Sequence, residues 1–401
     1  MQYDLVLEGG GAKGMAFVGA MREFEAAGHT IGRIIGSSAG AITAVSLAAG
    51  YTAAEMQATL SERAGDEPVF TTFLGTPPAP PEPAESALAE FFRAMDLSGL
   101  PEWAEGRLEK RLLGTLAGNA TGRQLLSFFD YGGFYSADAF VSWLERKLNE
   151  GQFRGRRRNF GQATFAELYE ATGVELSLTT SDTTMNRLHI LNHRTTPRLP
   201  AVWGARMSMS FPLLWQEVVW REEWGMLHAT RDGRPVQIPL TGNVMVDGGM
   251  LSNFPIELFV SREPGVTSVM GSETSTAVLG FLIDESLPVK DAPPPAAGSP
   301  LSSRLGSLRT AQRLRGLVDT LTSARDKAVI DENTRRVVRL PAKTYGTIEF
   351  GMSDARRDAL VNAAAAATRD YFARHTGGLE ALDDGPTAES DRIATNLLNY
   401  E

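Results

Sequence analysis

An α/β fold with parallel strands is predicted by three observations on the sequence. The apolar run Tyr3 to Leu7 leads through the loop Glu8 to Lys13 into Phe17, Ala20, Met21 and Phe24, which recur at helical spacing until Gly28. A second run, Ile31 to Ile35, leads through the turn Gly36 to Gly40 into the Ala-rich helix Ala41 to Ala49. Further strand patterns at Val174 to Thr180, Leu188 to Leu191, Asn243 to Val246 and Val278 to Ile283 are set among helix patterns. Successive strand-turn-helix units place both Gly-rich turns on the same edge of a sheet, and function is to be sought there.

The intervening elements follow from local chemistry. Thr52 with Glu55 forms a capping box for a helix to about Arg63, and Thr164 with Glu167 forms another. Thr76 to Pro83 holds five prolines, which excludes helix and central strand and predicts a stiff exposed loop. Leu88 to Asp130 reads as short helices broken by Gly99, Gly114, Gly118 and Gly122, with Ser136 capping a further helix to Leu148. Arg154, Arg156, Arg157 and Arg158 read as a solvated loop. Pro200 to Met209 starts as a helix on proline, and Asp232-Gly233 reads as a hairpin turn.

The expected domain layout is a catalytic unit over 1–285 carrying a helical, Pro-rich cap insertion over about 65–150. A Pro/Ala linker over 286–300 and a C-terminal helical region over 301–376 packed on the core follow. In that region Leu301, Leu305, Leu308, Leu314, Leu317 and Leu321 keep helical spacing among Arg304, Arg309, Arg313 and Arg315. Asp354 to Phe372, capped by Ser353, is its last helix, and 377–401 reads as a polar acidic tail without structure.

Composition narrows the chemistry. The 401 residues are 43% hydrophobic and carry a net charge of -9, which argues against nucleic acid as a partner. Cysteine is absent, so disulfides and thiolate metal sites play no part. No apolar run reaches the roughly 18 to 20 residues of a membrane span, and the N-terminus has no signal-peptide pattern. A cytoplasmic protein whose contact with lipid is peripheral is expected.

Gly36-Ser37-Ser38-Ala39-Gly40 fits G-x-S-x-G, the turn that pushes a serine out between a strand and a helix. Ser38 is central in it and is the candidate nucleophile. Gly9-Gly10-Gly11-Ala12-Lys13-Gly14 can offer backbone N–H groups to a developing oxyanion, helped by the helix dipole behind it. The same stretch satisfies G-x-G-x-x-G, but the second strand runs into Gly36-Ser37-Ser38 without the carboxylate that a dinucleotide site needs. A P-loop fails because Lys13 is followed by Gly14.

Activation of the serine requires a base. The histidines are His29, His189, His193, His228 and His375, none of them in a distinctive turn. His189 and His193 lie on a strand-like stretch without further ligands, so no metal and no cofactor is expected. Asp247, which ends a strand and is followed by Gly248 and Gly249, can approach another backbone closely. Burial beside Ser38 would raise its pKa toward working pH.

Taken together and in this order, these motifs resemble the patatin-like phospholipase family. Gly9 to Gly14 resembles its Gly-rich loop, Gly36 to Gly40 its nucleophile turn and Asp247 to Gly249 its D-G-G/A motif. Ser208 to Pro212 is similar to its Ser-and-Pro block, and Asn253-Phe254-Pro255 to its Asn-x-Pro. The resemblance implies a three-layer α/β/α sandwich with a mainly parallel central sheet and metal-free hydrolysis of acyl esters in phospholipids or other acyl lipids. It implies Ser38 as nucleophile, Asp247 as base, Gly10, Gly11 and Ala12 as oxyanion donors, and Lys13 as support for the loop. The sequence departs from compact members in the insertion Gly65 to Tyr135 and the segment Trp220 to Thr241. Alternatives are an α/β-hydrolase triad using His375, a catalytically silent lipid-binding adaptor, and an effector opened by a ligand or partner.

Overall fold

Five strands, β1 (Gln2–Leu7), β2 (Thr30–Gly36), β3 (Glu175–Asp182), β7 (Ala277–Pro288) and β8 (Val337–Lys343), run parallel in the order β8-β7-β1-β2-β3. The computed structural model describes residues 1–79, 86–94, 111–231, 234–272, 277–295, 330–375 and 386–398. The hairpin dipeptide Asp232-Gly233 and the Leu/Arg pattern of 301–321 lie outside the described residues. Three antiparallel strands complete the sheet: β4 (Arg187–Asn192), β5 (Val218–Val219) and β6 (Val244–Asp247).

The way β3 shares its edges positions the site. β4 pairs with it from Ser177 to Asp182 and so fills one edge. The other edge is divided: β2 runs parallel to it up to Gly36 opposite Leu178, and β6 runs antiparallel to it down to Asp247 opposite Thr180. The C-terminal ends of β2 and β6 therefore meet head to head across Thr179.

Alternation along the strands builds two cores. Leu5, Leu7, Ile34, Leu279 and Phe281 face α1 (Ala16–Ala26), α2 (Ala39–Ala48), α3 (Asp138–Leu148), α4 (Ala201–Ser208) and α7 (Asp354–Arg374). Val6, Ile35, Val278 and Leu282 face α5 (Glu257–Val260), α6 (Pro264–Met270) and α8 (Ala388–Leu398). A parallel sheet is stable when both faces are covered, and each buried Leu, Ile or Phe contributes about 1.5 to 3 kcal/mol. A one-residue slip would exchange the two cores, which fixes the register. The result is a three-layer α/β/α sandwich.

Both predicted capping boxes form, at Thr52 with Glu55 and at Thr164 with Glu167. Four expectations are corrected. The cap of α3 is Ala137, left-handed at φ 56°, while Ser136 Oγ only accepts the Asp138 N–H at 3.4 Å. Arg158 is not solvated: it is buried and donates to the carbonyls of Ala49 and Gly50 and to Glu55. The C-terminal region is not only helical, because Val337 and Val338 enter β8 and extend the sheet beside β7. Within the acidic tail, Ala394, Leu397 and Leu398 are buried by α8 against the second face, a stripe diluted in sequence by its charged neighbours.

Candidate active site

β2 delivers Ser38 into a strained conformation, φ 49° and ψ -118°, before α2 begins. A non-glycine residue there persists only where its surroundings hold it. Two contacts do so: the Ser38 N–H donates to Ser208 Oγ at 3.0 Å, and the Ser37 N–H donates to the Leu7 carbonyl at 3.2 Å. Gly36 is the last residue of β2. At Gly40 any Cβ would overlap the Leu7 carbonyl oxygen and lie 2.7 Å from that of Glu8. Ser37 points inward, fully buried, donating to the Ser252 carbonyl at 3.2 Å and accepting from Thr179 Oγ1 at 2.7 Å. Ser38 is left facing open space.

Asp247 reaches Ser38 from the opposing strand. Its N–H donates to the Ser210 carbonyl at 2.9 Å, and its Oδ1 accepts the Gly249 N–H at 2.8 Å. Asp247 is 3% exposed, and its carboxyl lies beside the Ser38 side chain. Burial pushes it up to about 7, against the downward pull of the neighbouring Ser38 hydroxyl and of the Gly249 N–H. Gly248 is required for this approach, since a Cβ there would overlap Thr179 Oγ1. Arg206, buried in α4, holds the Ser210 turn by bonding Ser210 Oγ and, at 2.7 Å, the Gln216 carbonyl. Burial lowers its guanidinium to about 10. Sequence reasoning missed this support, because a lone arginine in an amphipathic helix reads as a surface residue.

The Gly-rich loop follows β1 and turns into a short helix, Gly11–Met15. Gly9 donates its N–H to the Asn253 carbonyl at 3.3 Å, and Asn253 Nδ2 returns to the Gly9 carbonyl at 3.1 Å. Gly14 faces Ala39 so closely that a Cβ would overlap it, which locks the loop to the start of α2. Lys13, buried, pairs with Glu285 at the end of β7. Gly11 is left-handed at φ 56° and lies against Thr347, whose carbonyl accepts the Ala12 N–H at 2.8 Å. That bond takes Ala12 out of the expected donor set and leaves Gly10 and Gly11. The cause is a residue far downstream, which local sequence could not disclose.

Ser38 lies between two unlike cavities. One, of about 910 Å³ including its mouth, runs along α2 past Ala39, Ile42, Thr43 and Ser46 to Met56, Phe70 and Trp143 and is mostly apolar. The other is the more polar of the two, bounded by Glu8, Lys13, Asp247, Asn253, Asp284 and Arg339. Phe70 and Trp143 belong to the expected insertion, which thus walls the apolar cavity.

Among the described residues no histidine lines either cavity beside Ser38. His375 ends α7, with Nδ1 2.8 Å from the Tyr371 carbonyl. Phe372 in that last turn packs on His29, which precedes β2, so His375 sits at the sheet edge opposite Ser38. The triad alternative loses its histidine. His189 is buried against Asp182, 3.0 Å from Nε2 to Oδ2, and His193 stacks on Tyr169. Among the described residues no cluster of metal-ligating side chains forms, and no helix is long and apolar enough to cross a membrane.

A family model described as patatin-like phospholipase matches residues 5–260. The chain is 26% identical over 265 residues to the uncharacterized protein YqhO of Bacillus subtilis, covering 65% of this chain and 67% of that one. It also aligns with the crystal structure of VipD from Legionella pneumophila at 16% identity and a TM-score of 0.43, over 93% of this chain and 67% of the other. Against ExoU, solved with SpcU from the type III secretion system of Pseudomonas aeruginosa, identity is 16% and the TM-score 0.37. There the coverage is 93% of this chain and 52% of the other.

Proposed function

Because the chain belongs to the patatin-like phospholipase family, we propose that it is a serine lipid acyl hydrolase that cleaves acyl esters of phospholipids through a Ser38-Asp247 dyad. The observation that carries this reading is the pairing of β2 and β6 on one edge of β3, which sets the buried Asp247 carboxyl beside Ser38, where burial pushes it up to about 7. A carboxylate of ordinary pKa is too weak a base for a hydroxyl; one near working pH is matched to the task.

In the first step Asp247 takes the Ser38 proton as Oγ bonds the ester carbonyl carbon. The oxyanion is met by the N–H groups of Gly10 and Gly11 at the start of the short helix. Collapse breaks the bond to the alcohol, which leaves with the proton from Asp247, and the acyl group stays on Ser38. Water then gives a proton to Asp247 and attacks the acyl carbonyl. The fatty acid leaves and Ser38 recovers its proton. The acyl chain lies in the apolar cavity and the head group in the polar one, with the substrate drawn from a lipid surface by peripheral contact.

A fluorophosphonate probe tests this directly. Wild type should gain one covalent adduct on Ser38, seen by mass spectrometry, and Ser38→Ala should gain none and lose at least about a thousandfold of its kcat on p-nitrophenyl butyrate. Labelling at another serine, or activity surviving in Ser38→Ala, would sink the assignment.

Chain-length preference follows from the cavity. Ser46 lines it eight residues beyond Ser38 on the helix, about 12 Å along the axis. Ser46→Phe should plug that depth, so kcat/KM for a twelve-carbon ester falls about tenfold or more while the four-carbon ester is little affected. An equal fall for both esters would contradict this assignment of the acyl path.

A further inference from the structure

The segment after β8, Thr344 to Met352, lies beyond the residues matched by the family model and yet touches both halves of the site. Thr347 accepts the Ala12 N–H and bounds the polar cavity, and Phe350 bounds the apolar one, 5.8 Å from Trp215 ring to ring. The segment has no regular hydrogen-bond ladder of its own. Thr344 is left-handed at φ 74°, and the turn is closed by the Gly346 N–H bonding Glu349 Oε2 at 2.9 Å and the Glu349 N–H bonding the Gly346 carbonyl at 3.2 Å.

One side chain holds this segment together. Arg356, in the first turn of α7, is 1% exposed. Its Nε donates to Glu349 Oε1 at 2.6 Å, its Nη2 to the Thr344 carbonyl at 2.5 Å, and its Nη1 to the Pro293 carbonyl at 2.6 Å. Its guanidinium carbon lies 3.9 Å from the Tyr345 ring centroid, and the Tyr345 hydroxyl donates back to the Arg356 carbonyl at 2.9 Å. Planar, multidentate donation of this kind fixes a loop in a way a lysine ammonium reproduces only in part.

We propose that Arg356 is a positioning residue for the oxyanion loop. It fixes the Thr344 to Met352 strap, the strap presents the Thr347 carbonyl to Ala12, and that bond turns the preceding amides of Gly10 and Gly11 toward Ser38. Thr347 also packs against left-handed Gly11, where a Cβ would overlap its carbonyl oxygen, so loop and strap can move only together. The inference rests on the acyl-hydrolase reading for its kinetic part and on geometry alone for its mechanical part. Misplacing transition-state donors by about 1 Å costs on the order of a hundredfold in rate, whereas the α2 wall of the apolar cavity, from Ala39 to Ser46, does not rest on the strap.

The test uses full-length Arg356→Met, with kinetics on p-nitrophenyl butyrate and amide hydrogen exchange across Gly10 to Ala12. Expected are a kcat reduced about 10- to 100-fold at nearly unchanged KM, exchange at Ala12 about tenfold faster or more, and partial recovery of kcat in Arg356→Lys. Arg33→Met is the control for destabilisation alone: Arg33 is also buried and bonds Asp4 and the Gly271 carbonyl near the N-terminal ends of β1 and β3, away from Ser38. It should lower the melting temperature without the fall in kcat. If Arg356→Met does not fold, Glu349→Gln supplies a milder variant with the same direction of effect. A folded variant with unaltered kcat and unaltered Ala12 exchange overturns the proposal. Faster Ala12 exchange in a protein whose wild type hydrolyses no ester would leave the strap linkage standing and remove the acyl-hydrolase reading instead.

Discussion

Asp247→Asn is expected to lose ester hydrolysis and, above pH 7, to melt at a higher temperature than wild type. The loss follows from removing the base, worth about 10²- to 10⁴-fold. The gain follows from linkage. In the folded protein burial raises the Asp247 carboxyl from 3.8 to about 7, so between those values the native state holds a proton that the unfolded chain has released. Stability therefore falls as pH rises from about 4 to about 7, and the full cost remains at higher pH. Three units at about 1.4 kcal/mol each set an upper bound of about 4 kcal/mol. For a chain of this length that corresponds to about 2 to 5 °C. Asparagine keeps the shape, still accepts the Gly249 N–H and carries no charge to bury. Thermal melts at pH 4.5 and pH 8 check the sign: near equality at the lower pH and a higher melting temperature for the variant at the upper. A difference that does not change with pH would mean that Asp247 is not the strained carboxyl described here. In wild type, kcat/KM should rise through about pH 7 to a plateau as the carboxylate forms.

Gly40→Ala is expected to destabilise the protein and to cost at least about a hundredfold in kcat. Helix propensity alone would favour alanine by about 1 kcal/mol, since Gly40 lies in the first turn of α2. Space decides the other way. The new methyl would overlap the Leu7 carbonyl oxygen and lie 2.7 Å from the Glu8 carbonyl oxygen, both of them backbone atoms at the end of the central strand. Neither can swing aside as a side chain would, so α2 must retreat from β1 and carry Ser38 away from Asp247. Overpacking of this kind costs about 1 to 3 kcal/mol or more. A melting temperature equal to or above that of wild type would show that the turn is not confined by β1.

The patterns legible in the sequence were those with local causes. Apolar alternation in Tyr3 to Leu7 and Ile31 to Ile35, the capping boxes at Thr52 and Thr164, and the glycines at both turns each express a constraint between near neighbours in the chain. They were enough to give the α/β class and the edge that holds the site. The resemblance carried by Gly9 to Gly14, Gly36 to Gly40 and Asp247 to Gly249 added the family, which the match over 5–260 establishes.

Tertiary structure decided what depends on distant partners. That β2 and β6 share one edge of β3 is a matter of strand pairing, and it alone brings Asp247 to Ser38. Ala12 is spent on Thr347, His375 falls at the wrong edge, and Arg158, Arg206 and Arg356 are buried anchors rather than surface charges. The sequence by itself determined which residues are candidates for the chemistry of an acyl hydrolase, because side-chain type and turn geometry are local. Only the folded sheet decided which of them meet and at what pKa, because burial and hydrogen bonding are properties of the space between segments.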